Sequence, residues 1–272
     1  MNHIPDFFCL KKMAAVTALV MSSSVTYAGD VINPHASETI GTVQQVYDGA
    51  LMPDEQVNTF RNIDRLFSTG TVKHGSKVLA LPAGKSLANF KFESKGKTYD
   101  LYDYVSLNRV SGLLVIKDGK VAFETYQLGN TNNTRWMSMS VVKSITATLI
   151  GAAIQDGHIK SIDDQIVKYL PELKNSAYDG VTIRNLLQMA SGVGWNEAYT
   201  DPKSDRRRML EIQNAQTPGG VLKLMAKLPR VAEPGTRWNY STGETHVAGA
   251  LVRAAVGMPV SEYLSKRIWS KV

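Results

Sequence analysis

Four apolar residues, Leu113-Leu114-Val115-Ile116, give way to Lys117-Asp118-Gly119-Lys120 and then to Val121-Ala122-Phe123-Glu124-Thr125-Tyr126. Two short apolar segments on either side of Asp-Gly predict a β-hairpin with a tight turn. Beyond it the pattern lengthens. From Ser140, apolar positions run through Ile145, Leu149, Ile150, Ala152, Ala153 and Ile154 and stop at Asp156-Gly157. The β-branched residues Val141, Val142, Ile145, Thr146 and Thr148 would suit a strand, yet the stretch exceeds the roughly 4–8 residues typical of one. It predicts a buried helix that opens at Ser140 and is closed by Gly157. Asp163-Asp164 and Leu170-Pro171-Glu172 mark loops. Thr182 is placed to cap a short helix through Ile183, Leu186, Leu187 and Met189, ending near Ser191-Gly192. Val260 to Trp269, with Tyr263, Leu264, Ile268 and Trp269 apolar, predicts a last amphipathic helix.

Before Ser111 the pattern is mixed. Lys11-Lys12, an apolar core from Met13 to about Val25 and small residues at Thr26 and Ala28 have the form of a secretory signal, residues 1–28. Export to the periplasm or medium is the expectation. The apolar core falls short of the roughly 20 residues a spanning helix needs, and no later segment substitutes for it, so no stable membrane span is expected. Residues 29–110, with turn clusters at Leu81-Pro82-Ala83-Gly84 and Ser94-Lys95-Gly96, read only as a segment wrapping the domain at 111–272.

Composition narrows the function classes. The 272 residues are 43% hydrophobic and 20% charged, with a formal net charge of +7 that falls to +6 without Asp6, Lys11 and Lys12 of the leader. The one dense cationic run, Arg206-Arg207-Arg208, stands among Asp201, Asp205 and Glu211 and reads as a solvated helix face, with no nucleic-acid module. The single cysteine, Cys9, lies in the leader, so the mature chain has neither a disulfide nor a thiolate metal site. Gly84-Lys85-Ser86 lacks the earlier glycine of a phosphate loop, Leu79 standing there. The histidines are scattered with no metal-ligand spacing, and neither metal nor cofactor is expected.

The chemistry-bearing feature is Ser140-Val141-Val142-Lys143 with Tyr240-Ser241-Thr242 a hundred positions later. On a helix, a lysine three residues after a serine shares its face one turn along. A serine hydroxyl becomes a nucleophile when a neighbouring base takes its proton, and a lysine can serve if burial lowers its pKa. A tyrosine phenol brought alongside can carry that proton to the leaving group. The helix N-terminus also favours negative charge next to Ser140, as in an oxyanion. The same spacing at Ser94 and Lys97 lies in a polar turn and is set aside. Trp195 and Tyr199, in Gly194-Trp195-Asn196-Glu197-Ala198-Tyr199, are candidates for a substrate-binding rim, or else simply cover the helix beneath them.

These ordered motifs resemble the penicillin-recognising serine hydrolases, and within them the class C β-lactamase-like group that includes carboxylesterases and 6-aminohexanoate-dimer hydrolases. Ser140-x-x-Lys143 matches the nucleophile motif, and Tyr240-Ser241-Thr242 the second motif, with Thr242 where the lactamases have asparagine. Leu186-Leu187-Gln188-Met189-Ala190-Ser191-Gly192-Val193 and Tyr240-Ser241-Thr242-Gly243-Glu244-Thr245 are most similar to the oligomer hydrolase and esterase branch. The resemblance implies an α+β fold of the β-lactamase/transpeptidase type, an antiparallel sheet packed with helices plus a helical subdomain. It implies acylation of Ser140 by a small ester or amide, with Lys143 and Tyr240 as proton carriers, and leaves open which of the two is the base.

The family's third motif, Lys/His-x-Gly on a later strand, does not occur after Tyr240, and one hairpin alone is marginal in water. The expectation is therefore an N-terminal piece of a longer enzyme, missing its last strands. A β-lactamase or penicillin-binding peptidase is the alternative within the enzyme class. A noncatalytic binding protein or inactive fragment is the alternative outside it. Oligomeric state is left open.

Overall fold

A computed structural model of the chain describes residues 33–77 and 79–272. The proposed leader, with Cys9, lies outside these residues. The chain from His35 onward clusters as one compact unit.

Two hairpins and a helical body make up the α+β fold. The wrapping segment, read from sequence as almost featureless, contains α1 (Val43–Asp48), α2 (Pro53–Arg61), the strand pair β1 (Lys91–Ser94) and β2 (Lys97–Asp100), and α3 (Leu101–Leu107). The signals were local and polar: Thr42 and Asp100 each close a capping box on the helix that follows, and Pro53 opens α2. Ser94 pairs with Lys97 across the turn of the first hairpin, on strands and not on a helix.

The expected second hairpin forms from β3 (Gly112–Lys117) and β4 (Lys120–Tyr126). Asp118 and Gly119 both have positive φ, 51° and 70°, as a two-residue turn matched to strand twist requires. An extended stretch borders β4, with Gly84 N–H donating to the Val121 carbonyl at 2.8 Å and Val121 N–H to the Pro82 carbonyl at 2.9 Å.

The helical body follows: α4 (Val141–Gln155), α5 (Ile183–Leu187), α6 (Asp205–Asn214), α7 (Gly220–Ala226), α8 (Thr242–Val256) and α9 (Val260–Arg267). α4 and α8 pack along each other and carry the core: Leu149, Ile150 and Ala153 from the first, Val247, Leu251 and Val252 from the second, all under 2% exposed. Thr182 caps α5 as expected, its side chain accepting from Asn185 N–H.

Arg206-Arg207-Arg208 departs from the sequence reading. Arg208 is solvated, but Arg206 and Arg207 are 5% and 7% exposed. Arg206 lies over the Tyr47 ring, 4.4 Å from its centroid, and Arg207 donates to Asp48 at 2.8 Å and to the Tyr199 carbonyl at 3.2 Å. A guanidinium can bury its stem and still satisfy its charge against an aromatic face and a carboxylate. Those partners come from α1, which the hydropathy pattern did not disclose.

Candidate active site

The loop leading to α4 is tied down from the wrapping segment. Arg61, 7% exposed, donates to Glu38, to the Leu128 carbonyl at 3.0 Å and to Asn130 at 3.2 Å. Met137 N–H donates to the Phe60 carbonyl at 2.8 Å, and the Phe60 and Trp136 rings meet edge to face. Met139 then takes a φ of 48°, a left-handed conformation that a methionine adopts at a cost, and Ser140 follows as N-cap of α4. No described residue accepts from the Ser140 backbone N–H, which stands at the positive end of the helix.

From the first turn of α4, Lys143 Nζ donates to Ser140 Oγ at 3.0 Å. Tyr240, in the residue pair just before α8, brings its hydroxyl to 2.9 Å from the same oxygen. The ammonium also lies 5.2 Å from the Tyr240 ring centroid. Two side chains from segments a hundred residues apart thus converge on the hydroxyl of Ser140, itself an exposed residue. That arrangement can deprotonate a hydroxyl and return the proton to a departing group.

Tyr240 is positioned by backbone. Asn239 N–H donates to the Met189 carbonyl at 2.8 Å, and Asn239 Nδ2 to the Trp195 carbonyl at 3.1 Å. Gly192, at φ 78°, lets Val231 and Ala232 donate to its carbonyl; a Cβ there would lie 2.0 Å from the Ala232 oxygen. At the head of α8, Glu197 accepts from Thr242 N–H at 2.9 Å, from Thr242 Oγ1 at 2.5 Å and from Trp195 Nε1.

The two rim candidates part company. Trp195 is 8% exposed and packs in the core, its ring so close to Gly243 that a Cβ there would come within 2.8 Å of it. It lies beneath the site and forms no rim, because its indole is spent on supporting the start of α8. Tyr199 is 44% exposed and stacks on Tyr47. Partial burial, then the Glu197 carboxylate and the nearby Tyr240, push its phenol up to about 12, so it remains a hydrogen-bond donor at neutral pH.

Two acidic residues escaped the sequence reading. Glu197 lay in the loop singled out for its aromatics. Glu244 is 3% exposed, with Oε1 accepting from Ser191 Oγ and Oε2 without a partner among the described residues. Burial pushes its carboxyl up to about 7, against the opposing effect of the Ser191 bond. Among the described residues no cluster of His, Cys, Asp and Glu is suited to a metal ion, and no helix is long and apolar enough to cross a membrane.

Residues 108–272 match the beta-lactamase family. A 6-aminohexanoate-dimer hydrolase of Paenarthrobacter ureafaciens is 29% identical over 178 residues, covering 64% of this chain and 45% of the relative. A beta-lactamase of Pseudomonas fluorescens is 26% identical over 165 residues, covering 58% of this chain and 42% of the relative. The chain thus spans less than half the length of these curated relatives. A solved structure from Bacillus anthracis, provisionally described as a 6-aminohexanoate-dimer hydrolase, superposes with a TM-score of 0.71 at 19% identity, covering 81% of this chain and 60% of that one. This last likeness bears on the fold, and it agrees with the β-lactamase/transpeptidase type expected from the motifs.

Proposed function

The chain belongs to the beta-lactamase family, and from that premise we propose that it is an exported serine hydrolase acting on small esters or amides through an acyl-enzyme on Ser140. The observation that carries this reading is the convergence of Lys143 Nζ and the Tyr240 hydroxyl on Ser140 Oγ at 3.0 and 2.9 Å. In acylation, Oγ bonds to the substrate carbonyl carbon while its proton passes to the Lys143–Tyr240 pair. The tetrahedral adduct places its negative oxygen at the N-terminus of α4, where the dipole and the free Ser140 N–H favour it. Collapse breaks the bond to the leaving alcohol or amine, which takes the proton. Water then attacks the acyl carbon by the same proton route in reverse and frees the acid.

Tyr199 supplies an exposed phenol beside Tyr240 for the substrate's polar atoms. Thr242 argues for esters and linear amides over β-lactams, because its hydroxyl is turned to Glu197 and presents no side-chain amide. The Lys11-Lys12 leader pattern supports export. N-terminal sequencing of the protein from the periplasm or medium should give a start near Gly29, and retention of Met1 would count against export.

Intact-protein mass spectrometry after exposure to a fluorophosphonate tests the nucleophile. A single adduct is expected, absent from Ser140→Ala; an adduct that survives the substitution would sink the assignment. Short-chain p-nitrophenyl esters and linear oligoamides should then turn over faster than nitrocefin, and the reverse order would favour a β-lactamase.

A further inference from the structure

Glu244 is a buried ionisable group that the acyl-transfer scheme leaves idle. It stands in the first turn of α8, four residues after Tyr240, and borders two cavities. One, of about 50 Å³, it shares with Lys143, Thr146, Ala147 and Met189. The other, of about 240 Å³, it shares with Ser191, Trp195, Arg237 and Asn239. The smaller cavity has room for a water, and Lys143 and Glu244 offer such a water a donor and an acceptor. Glu244 is the one carboxylate lining either space among the described residues. The other ionisable groups around it are Lys143 from α4, Arg237 from the segment before Tyr240, and Tyr178, whose phenol burial and then Glu244 itself hold well above the usual range.

Resting on the acyl-transfer reading of Ser140, we propose that Glu244 is the proton acceptor behind Lys143, drawing a proton from its ammonium across the shared cavity and leaving a neutral amine beside Ser140 Oγ. The proton leaves Nζ, crosses the intervening water and bonds to Glu244 Oε2, which has no partner among the described residues. Lys143 passes from positive to neutral and Glu244 from negative to neutral, so the pair carries no net charge before or after. When Oγ attacks, its proton goes to Nζ; when the adduct collapses, that proton goes to the leaving group by way of the Tyr240 hydroxyl. Glu244 keeps its own proton throughout. Burial supports this role, because a desolvated carboxyl with one hydrogen bond favours its neutral form. Glu244 touches no reacting atom and is a positioning residue that sets the protonation of Lys143.

The test is the pH dependence of fluorophosphonate labelling at Ser140 in the full chain, for the unaltered protein, Glu244→Gln and Ala147→Val, with Ser140→Ala as control. In the unaltered protein the rate should rise through about pH 7, where Glu244 loses its proton to solvent and becomes able to accept another. Glu244→Gln keeps the shape and the Ser191 contact but cannot accept a proton. Its rise should move to higher pH, with labelling at pH 7.5 slower by about ten- to a hundredfold and recovering at high pH. Ala147→Val, which fills the small cavity and leaves every charge in place, should shift the profile the same way.

A Glu244→Gln profile that superimposes on the unaltered one, or is lowered equally at every pH, overturns the proposal. An unshifted Ala147→Val profile overturns the route through the cavity. Absence of any adduct on the unaltered chain removes the acyl-transfer reading and this inference together, whereas labelling with unshifted profiles removes this inference alone.

Discussion

Glu244 is spelled in the sequence as part of Ser241-x-x-Glu244, the form of a capping box. Only half of the box forms: Ser241 Oγ accepts from Glu244 N–H at 3.1 Å, while the carboxyl turns inward to Ser191. This has a consequence for stability. The carboxyl's folded value of about 7 stands above its reference of 4.5. Between those two pH values the folded state binds more protons at this group than the unfolded, so its contribution to stability is greatest below about pH 4.5 and is lost as pH rises through about 7. Glu244→Gln removes that loss. Thermal unfolding should show the variant more stable at pH 8, by about 3 kcal/mol at most, and no gain at pH 4. Equal gains at both would mean that the carboxyl is not desolvated. Ser140 and Lys143, by contrast, were legible from residue type and helical spacing, and Tyr240 from the second motif of the family resemblance.

At the level of elements, the hairpin β3–β4 and the helices α4, α5 and α9 follow from periodicity and caps. The elements that hold the loop before Ser140 do not. α2 offers only Val57 and Thr59 beside Arg61 as buried residues, too thin a stripe to stand out, yet it carries Arg61 and Phe60 to the loop before Ser140. Arg61→Ala would leave Glu38 without its guanidinium partner and two loop acceptors unmet, a loss of about 3 kcal/mol. Urea unfolding should report it, together with slower labelling of Ser140; a change within error in both would mean that the loop is held otherwise. Gly192→Ala forces a methyl against the Ala232 carbonyl at a positive φ. It should lower the melting temperature by more than any surface substitution in α6 and loosen Tyr240, with scanning calorimetry as the check.

Over the whole molecule, apolar burial is uneven. The α4–α8 core is dense, while β1 and β2 have no buried residue. Local opening is cheapest where few apolar contacts must be broken. Hydrogen exchange should therefore protect amides of Leu149, Ile150, Leu251 and Val252 most strongly and those of Phe92 and Tyr99 least, and uniform protection would contradict this division. The sequence by itself determined the family-bearing motifs, the hairpin, the main helix and the serine proposed as nucleophile, because these depend on residue chemistry repeated at short range. Only the tertiary structure decided that Trp195 supports the site from below, that two arginines of a charged run are buried, and that Glu244 shares a cavity with Lys143. Each of those depends on partners far away in the chain, and no local pattern encodes which surfaces meet.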